Sequence, residues 1–430
     1  MLRAVYDLVG GLWKEKIQLA AMVLFVATLP LNREVNQVFF VVLVLSCLPL
    51  CKYELWVRRR KIIVAFIIIY LIAVFSSFYA PDKKAAISTL ELQLALLLSP
   101  VLIGISYQPS KEKDNLIKTG FISGICVSLV YLFIIFLYKM NKEQLSISAW
   151  LQQENLNHQY SSPIGMHATI LSTYVAVCAS LIIEFLGSAK RFSEKVFLFF
   201  LFALCIISLF LLSSRMVLAI SGISFILLIF LNPRPYWWPG KVLIGAFLLV
   251  SLIAFIDQSS YFKARFNQDI QKDLKWSQWK NLVFNPHIVS KDSVLKNDGT
   301  RIERWIASIE LIKEKPLFGY GTGQEKPQLF RKYREMGLTV TLEQGYDAHN
   351  QFLSIMIKSG LIGLITLLIL FGTAFYLSIK NKDLVYFSFL LVITAVCIVE
   401  NYLNVNKGVF FFSFFNIFFA ISFQNRGKQK

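Results

Sequence analysis

The residues best equipped for chemistry stand in three short stretches of a 430-residue chain. Asp347-Ala-His349-Asn350-Gln-Phe-Leu carries a histidine among polar neighbours, directly before a long apolar run. An imidazole there can take a proton from a hydroxyl, with Asp347 or another carboxylate to orient it. An interfacial histidine bonded to backbone gives the same sequence. The second stretch, Asp298-Gly-Thr300-Arg301-Ile-Glu303-Arg304-Trp305, places two arginines in the first turn of an expected helix. Exposed guanidinium groups beside free helix N–H groups suit a phosphate, with a solvated arginine pair as the plainer alternative. In the third, Leu-Leu-Ser-Ser-Arg215-Met, an arginine occupies the tip of an apolar hairpin, where structure alone gives it little reason to be.

Other reactive groups carry less. His158 and His167 flank the start of another apolar run, and His287 lies in Asn285-Pro-His287. Four scattered histidines without paired cysteine or carboxylate spacing do not make a metal site. Six cysteines (Cys47, Cys51, Cys126, Cys178, Cys205 and Cys397) fall in or beside apolar runs and read as small packing residues. Gly319-Tyr-Gly-Thr-Gly323 looks like a phosphate loop, but follows no strand and lacks the Lys-Ser/Thr of a nucleotide site. A flexible turn after Pro316 is expected instead, and neither a metal nor a cofactor is called for.

The elements that must position these groups follow from composition. Apolar residues make up 56% of the chain, with 38 Phe and a mean hydropathy of +0.58. A soluble fold would expose such residues, whereas a bilayer absorbs them. Apolar runs give an all-α integral membrane protein of about twelve spans, near 17–31, 36–51, 62–80, 87–106, 116–138, 163–186, 195–212, 216–231, 241–256, 351–378, 384–400 and 409–424. The net charge of +18 follows membrane orientation rather than nucleic acid. Connections on one side hold 21 Lys and Arg; the short ones on the other hold 7. Both termini are therefore expected in the cytoplasm, with one large periplasmic loop. That divides the chain into spans one to nine (1–256), the loop (257–350), and spans ten to twelve with a tail (351–430). Basic residues before the first run resemble a signal peptide, but no small-x-small site follows, so a retained span is expected.

Within the loop, Thr300 and Glu303 fit a capping box, and Pro316 stops the helix. Ile302, Trp305, Ile306, Ile309 and Ile312 form an apolar stripe expected to bury.

Three patches resemble the O-antigen ligase and O-antigen polymerase superfamily: Ser213-Ser214-Arg215; Thr300-Arg301 to Trp305 with Pro316-Leu-Phe-Gly-Tyr-Gly-Thr-Gly323; and Ala348-His349-Asn350 with Ser359-Gly360-Leu-Ile-Gly363. In the ligase branch a histidine is followed, after ten residues, by glycine, as His349 is by Gly360. Polymerases tend to carry arginine there, so the resemblance leans to the ligase. Met166-His167 to Tyr174 is similar to a histidine-containing stretch of relatives. Two positions depart from the family's pattern: Ala219 stands where a leucine is usual, and Lys358 where an acidic residue is common.

The resemblance implies a glycosyltransferase C-like architecture. The activity it implies is glycan transfer from a polyprenyl-pyrophosphate carrier to an acceptor hydroxyl outside the inner membrane, by inversion and without metal. The acceptor would be lipid A–core in a ligase, another lipid-linked repeat in a polymerase, or a protein hydroxyl in an O-oligosaccharyltransferase. His349 would be the base and Arg215, Arg301 and Arg304 the pyrophosphate clamp, with His167, Asp347 and Asn350 as secondary candidates. Membrane lipid would be a partner; nucleic acid would not. A lipid-linked glycan flippase is the reading from a different class. Against it, Glu91, Glu184, Lys358 and Glu400 lie near span ends rather than at the midplane.

Overall fold

The computed structural model describes residues 2–144, 155–231, 245 and 299–422, with side chains from Trp13 onward. Every regular element among them is helical. Seven helical stretches are long and apolar enough to cross a membrane: 33–50, 53–77, 83–106, 111–142, 168–186, 192–212 and 351–380. Arg215–Phe230, Leu384–Val399 and Asn406–Ser422 are apolar but shorter. The chain is a multi-pass membrane protein. The expected run at 241–256, the loop before residue 299 and His287 lie outside the described residues.

In chain order the helices are α1 (Leu2–Thr28), α2 (Arg33–Cys47), α3 (Tyr53–Ser77), α4 (Lys83–Gln93), α5 (Ala95–Ser106) and α6 (Lys111–Lys142). Next come α7 (His158–Ser161), α8 (Ala168–Leu186), α9 (Phe192–Leu212) and α10 (Arg215–Phe230). The segment that precedes α14 supplies α11 (Arg301–Glu314), α12 (Glu325–Glu335) and α13 (Thr339–Glu343). Last are α14 (Gln351–Lys380), α15 (Leu384–Val399) and α16 (Asn406–Ser422).

Helices apolar on every face belong at the centre of a bundle, and α16 is the plainest case: Gly408 to Ser422 is buried throughout. Its phenylalanines meet rings from three neighbouring helices. Phe411 stacks on Tyr174 at 4.3 Å, Phe415 meets Phe121 at 4.9 Å, and Phe411 meets Phe389 at 5.6 Å. Helix α8 is nearly as enclosed. Its hydroxyls satisfy themselves by donating one turn back, Ser172 to Ala168 O at 2.8 Å and Thr173 to Thr169 O at 2.8 Å. Helices α9 and α10 are separate because Ser213 adopts a left-handed φ of +51° and closes α9 with bonds to Leu209 O and Phe210 O.

Two sequence patches, far apart in the chain, build one seam. Helix α14 kinks at Gly360, where φ is +62° and an added Cβ would lie 2.2 Å from Leu317 O. The kink frees carbonyls, and the 316–323 loop uses them: Tyr320 N–H donates to Ile357 O and Gly321 N–H to Lys358 O, both at 2.8 Å. Leu361 N–H donates back to Pro316 O at 2.8 Å. The glycine run is therefore a packed joint, not the flexible turn expected of it. A second, small core lies beside the seam, with Ala307, Leu311, Tyr320, Leu329, Tyr333, Leu338, Ala348 and Ile357 buried together.

The expected apolar stripe on α11 is also corrected. Of its five residues Ile306 alone is fully buried; the buried face is Glu303, Arg304, Ile306, Ala307, Ser308 and Leu311. The helix turns its polar first turn inward, toward α14 and the groups described next.

Candidate active site

His349 lies just before α14, in a backbone held at φ +46°. Asn350 ends the loop and caps the helix, its side-chain oxygen accepting from Phe352 N–H at 3.0 Å and Leu353 N–H at 3.1 Å. Its side chain is thus already engaged. Asp347 turns back onto the histidine: Oδ1 accepts His349 N–H at 3.0 Å and meets the ring at Nδ1. Burial pushes the Asp347 carboxyl up, but the bond to His349 and that residue's charge prevail and hold it below the usual carboxylate range. With Nδ1–H donated to Asp347, the tautomer this bond favours leaves Nε2 with a lone pair.

The two arginines come from the capped start of α11, where Thr300 and Glu303 close the capping box. Arg304 is buried, not exposed as its place in the sequence suggested. Its Nε donates to Thr300 O at 3.2 Å, and its guanidinium lies 4.4 Å from the Tyr346 ring centre. The Tyr346 ring in turn meets His349 edge-on at 5.8 Å. Burial and the like charge of Arg301 both push the Arg304 pKa down, as befits two cations held side by side. Arg301 Nε and Arg304 Nη1 are buried donors with no hydrogen-bond partner among the described residues.

Glu400, on the turn after α15, completes the arrangement. Its Oε1 lies 4.0 Å from Arg301 Nη2, and burial raises its pKa although His349 and Arg301 oppose the shift. Across from it, His167 stands at the start of α8 with its ring 4.3 Å from that of His158. Loss of water around the ring, and then the charges of His158, His349 and Arg301, hold the His167 pKa below the ordinary histidine value.

Folding thus brings His349, Asp347, Asn350, Arg301, Arg304 and His167 into one neighbourhood, from segments spread over the chain. Arg215 is connected to it through its elements. Asn157 N–H donates to Leu211 O at 2.9 Å, tying the His158 turn to the corner that ends in Arg215, and α10 packs along α15, which leads to Glu400. Tyr346 was not singled out by sequence, and Glu400 and His158, though noted there, were given no place in the site. A carboxylate closing an otherwise apolar run was the available signal for Glu400; nothing local marks Tyr346.

One cluster lies apart from this site. The thiol sulfurs of Cys126, Cys178 and Cys205 all lie within 4.8 Å of one another, buried between α6, α8 and α9. Their separation in sequence gives no hint of it. Thiols enclosed in an apolar bundle pack as small apolar groups.

Residues 200–368 match the family model described as O-Antigen ligase. That range contains Arg215, Arg301, Arg304, Asp347, His349 and Gly360, and stops short of Glu400. An uncharacterized protein of Haemophilus influenzae is 29% identical over 85 residues, 20% of this chain and 21% of that protein. The matched stretch therefore spans about a fifth of the curated relative's length.

Proposed function

We propose that the protein transfers a glycan from a polyprenyl-pyrophosphate carrier to an acceptor hydroxyl on the outer face of the bacterial inner membrane, a reading supported by the match of residues 200–368 to the O-antigen ligase family model. The observation that carries this reading is the pairing of His349 and Asp347 beside two arginines, each keeping one buried N–H donor, Arg301 Nε and Arg304 Nη1, without a hydrogen-bond partner among the described residues. His349 Nε2 takes the proton of the acceptor hydroxyl as its oxygen attacks the anomeric carbon. The bond from that carbon to the phosphate oxygen breaks, and the lipid pyrophosphate leaves with the electron pair. Arg301 and Arg304 neutralise the charge that develops on it, with Arg215 closing the clamp from the Ser213–Ser214 corner. The donor is already activated, so no nucleotide is consumed, and direct displacement inverts the sugar. Arginines supply the charge that a metal would otherwise give. Glu400, 4.0 Å from Arg301, helps to orient that guanidinium.

About twelve spans with both termini in the cytoplasm would place this site at the boundary of membrane and periplasm. The histidine-to-glycine spacing favours lipid A–core as acceptor. The test is reconstitution of the purified protein with lipid-linked glycan and, separately, lipid A–core, a second lipid-linked repeat, or a protein acceptor. Transfer to lipid A–core, undiminished by EDTA and abolished in a folded His349→Ala variant, is expected. Wild-type rates in His349→Ala would remove the assigned base; transport without transfer would replace the reading with a flippase.

A further inference from the structure

His349 sits in a left-handed backbone conformation, φ +46°, which a non-glycine residue keeps only where its surroundings hold it there. The surroundings that do so meet at one buried carboxylate. Glu325, at the start of α12, accepts from four donors: Ala348 N–H at 3.3 Å, Asn401 Nδ2 at 2.7 Å, Asn404 Nδ2 at 3.0 Å, and the Ser354 hydroxyl. Asn401 passes the restraint on, since its Oδ1 accepts Asn350 N–H at 3.0 Å. The amides immediately before and after His349 are thus both fixed, one by Glu325 and the other by the amide that Glu325 orients.

The charge of this carboxylate has a counterpart. Lys358, on the first limb of α14, donates to Asn404 Oδ1 at 2.8 Å, so one amide separates ammonium from carboxylate. This gives a physical use to a lysine found where relatives commonly carry an acid. A buried charge persists where hydrogen bonds and an opposite charge offset the loss of water. The network joins the segment that precedes α14 (Glu325), the foot of α14 (Ser354, Lys358) and the turn after α15 (Asn401, Asn404).

We infer that Glu325 is the positioning residue of the site, a buried carboxylate that, with Asn401, fixes the backbone on both sides of His349 so that the imidazole points at its work. The inference rests on the reading of His349 as the base only for its consequence in catalysis; the restraint on the loop is independent of it.

Two variants, Glu325→Gln and Asn401→Ala, and two readouts keep these apart. Site-resolved modification of His349 by diethyl pyrocarbonate, followed by mass spectrometry in the full-length protein, reads the restraint without any substrate. Glycan transfer, resolved into kcat and donor KM, reads its consequence. A base displaced by about an ångström loses on the order of a hundredfold in rate. Faster modification of His349 is expected in both folded variants, with kcat falling at least about tenfold and donor KM changing less than about threefold. A carboxylate serving only the fold would lower the yield of active protein and leave both readouts per folded molecule unchanged, which would overturn the inference. If Glu325→Gln does not fold, Asn401→Ala decides alone, because it leaves the carboxylate with three of its four donors. Faster modification with unaltered transfer would uphold the restraint and count against His349 as base.

Discussion

At the scale of single residues, the candidate site combines an imidazole, the carboxylate bonded to it and a pair of crowded cations, and the role proposed for each makes a separable prediction. The folded pKa of Asp347 lies below its ordinary value. Its contribution to stability is therefore complete above the unfolded carboxylate value of about 3.9 and is lost as pH falls through the lower folded value. Thermal melts should accordingly show a constant gap between wild type and Asp347→Asn above about pH 5, closing below about pH 4. At neutral pH the same variant should lose about tenfold or more in kcat, since the imidazole keeps its place but loses its orienting charge. A gap that widens on acidification would refute the assignment. Arg304 gives a second test, because its guanidinium both lies over the Tyr346 ring and keeps a buried donor in hand. Lysine reproduces the charge but neither the fork nor the planar stack. Arg304→Lys should therefore raise donor KM by about tenfold in transfer kinetics, not restore it.

Among the elements, the joint between α14 and the 316–323 loop decides where His349 stands. The kink at Gly360 turns two carbonyls outward, and the glycine run meets them with its own N–H groups. Alanine at 360 would meet Leu317 O at 2.2 Å and adopt a left-handed backbone, so both strain and clash oppose it. Gly360→Ala should lower the melting temperature and the yield of inserted protein, by more than about 2 kcal/mol in unfolding free energy. Gly372 lies on the same helix with open space around it, and its alanine variant should be neutral or slightly stabilising. Equal melting temperatures for the two variants would dissolve the idea of a joint. Sequence made both ends of this joint visible as separate glycine-bearing patches. It did not pair them, because hydrogen bonds between segments about forty residues apart leave no periodic trace in either.

For the molecule as a whole, the proposed orientation is open to a test on the native chain. Cys51 is the exposed thiol of the six; the other five are buried. It follows the helical stretch 33–50 and precedes Lys52, on the side the basic residues assign to the cytoplasm. A membrane-impermeant maleimide should therefore spare Cys51 in spheroplasts and label it in inverted vesicles. Labelling in spheroplasts would invert the topology and, with it, the face on which transfer is proposed.

Residue types and their order were enough to determine that this chain is an apolar, helical, multi-pass membrane protein, to mark Arg301, Arg304 and His349 for chemistry, and to cap α11 at Thr300 and Glu303. These are local or compositional properties, written in hydropathy, in helix-end chemistry and in the ordinary pKa of histidine. The tertiary structure decided which way those groups face and what surrounds them. Arg304 turned from surface to interior because α11 packs its polar first turn against the site rather than its isoleucines. Glu400 and Tyr346 came to lie beside His349 and the arginines, and Glu325 became the anchor of the His349 loop, largely through contacts between segments distant in the chain. Such contacts depend on how helices pack across one another, and a buried carboxylate with four donors reads in sequence like any other glutamate.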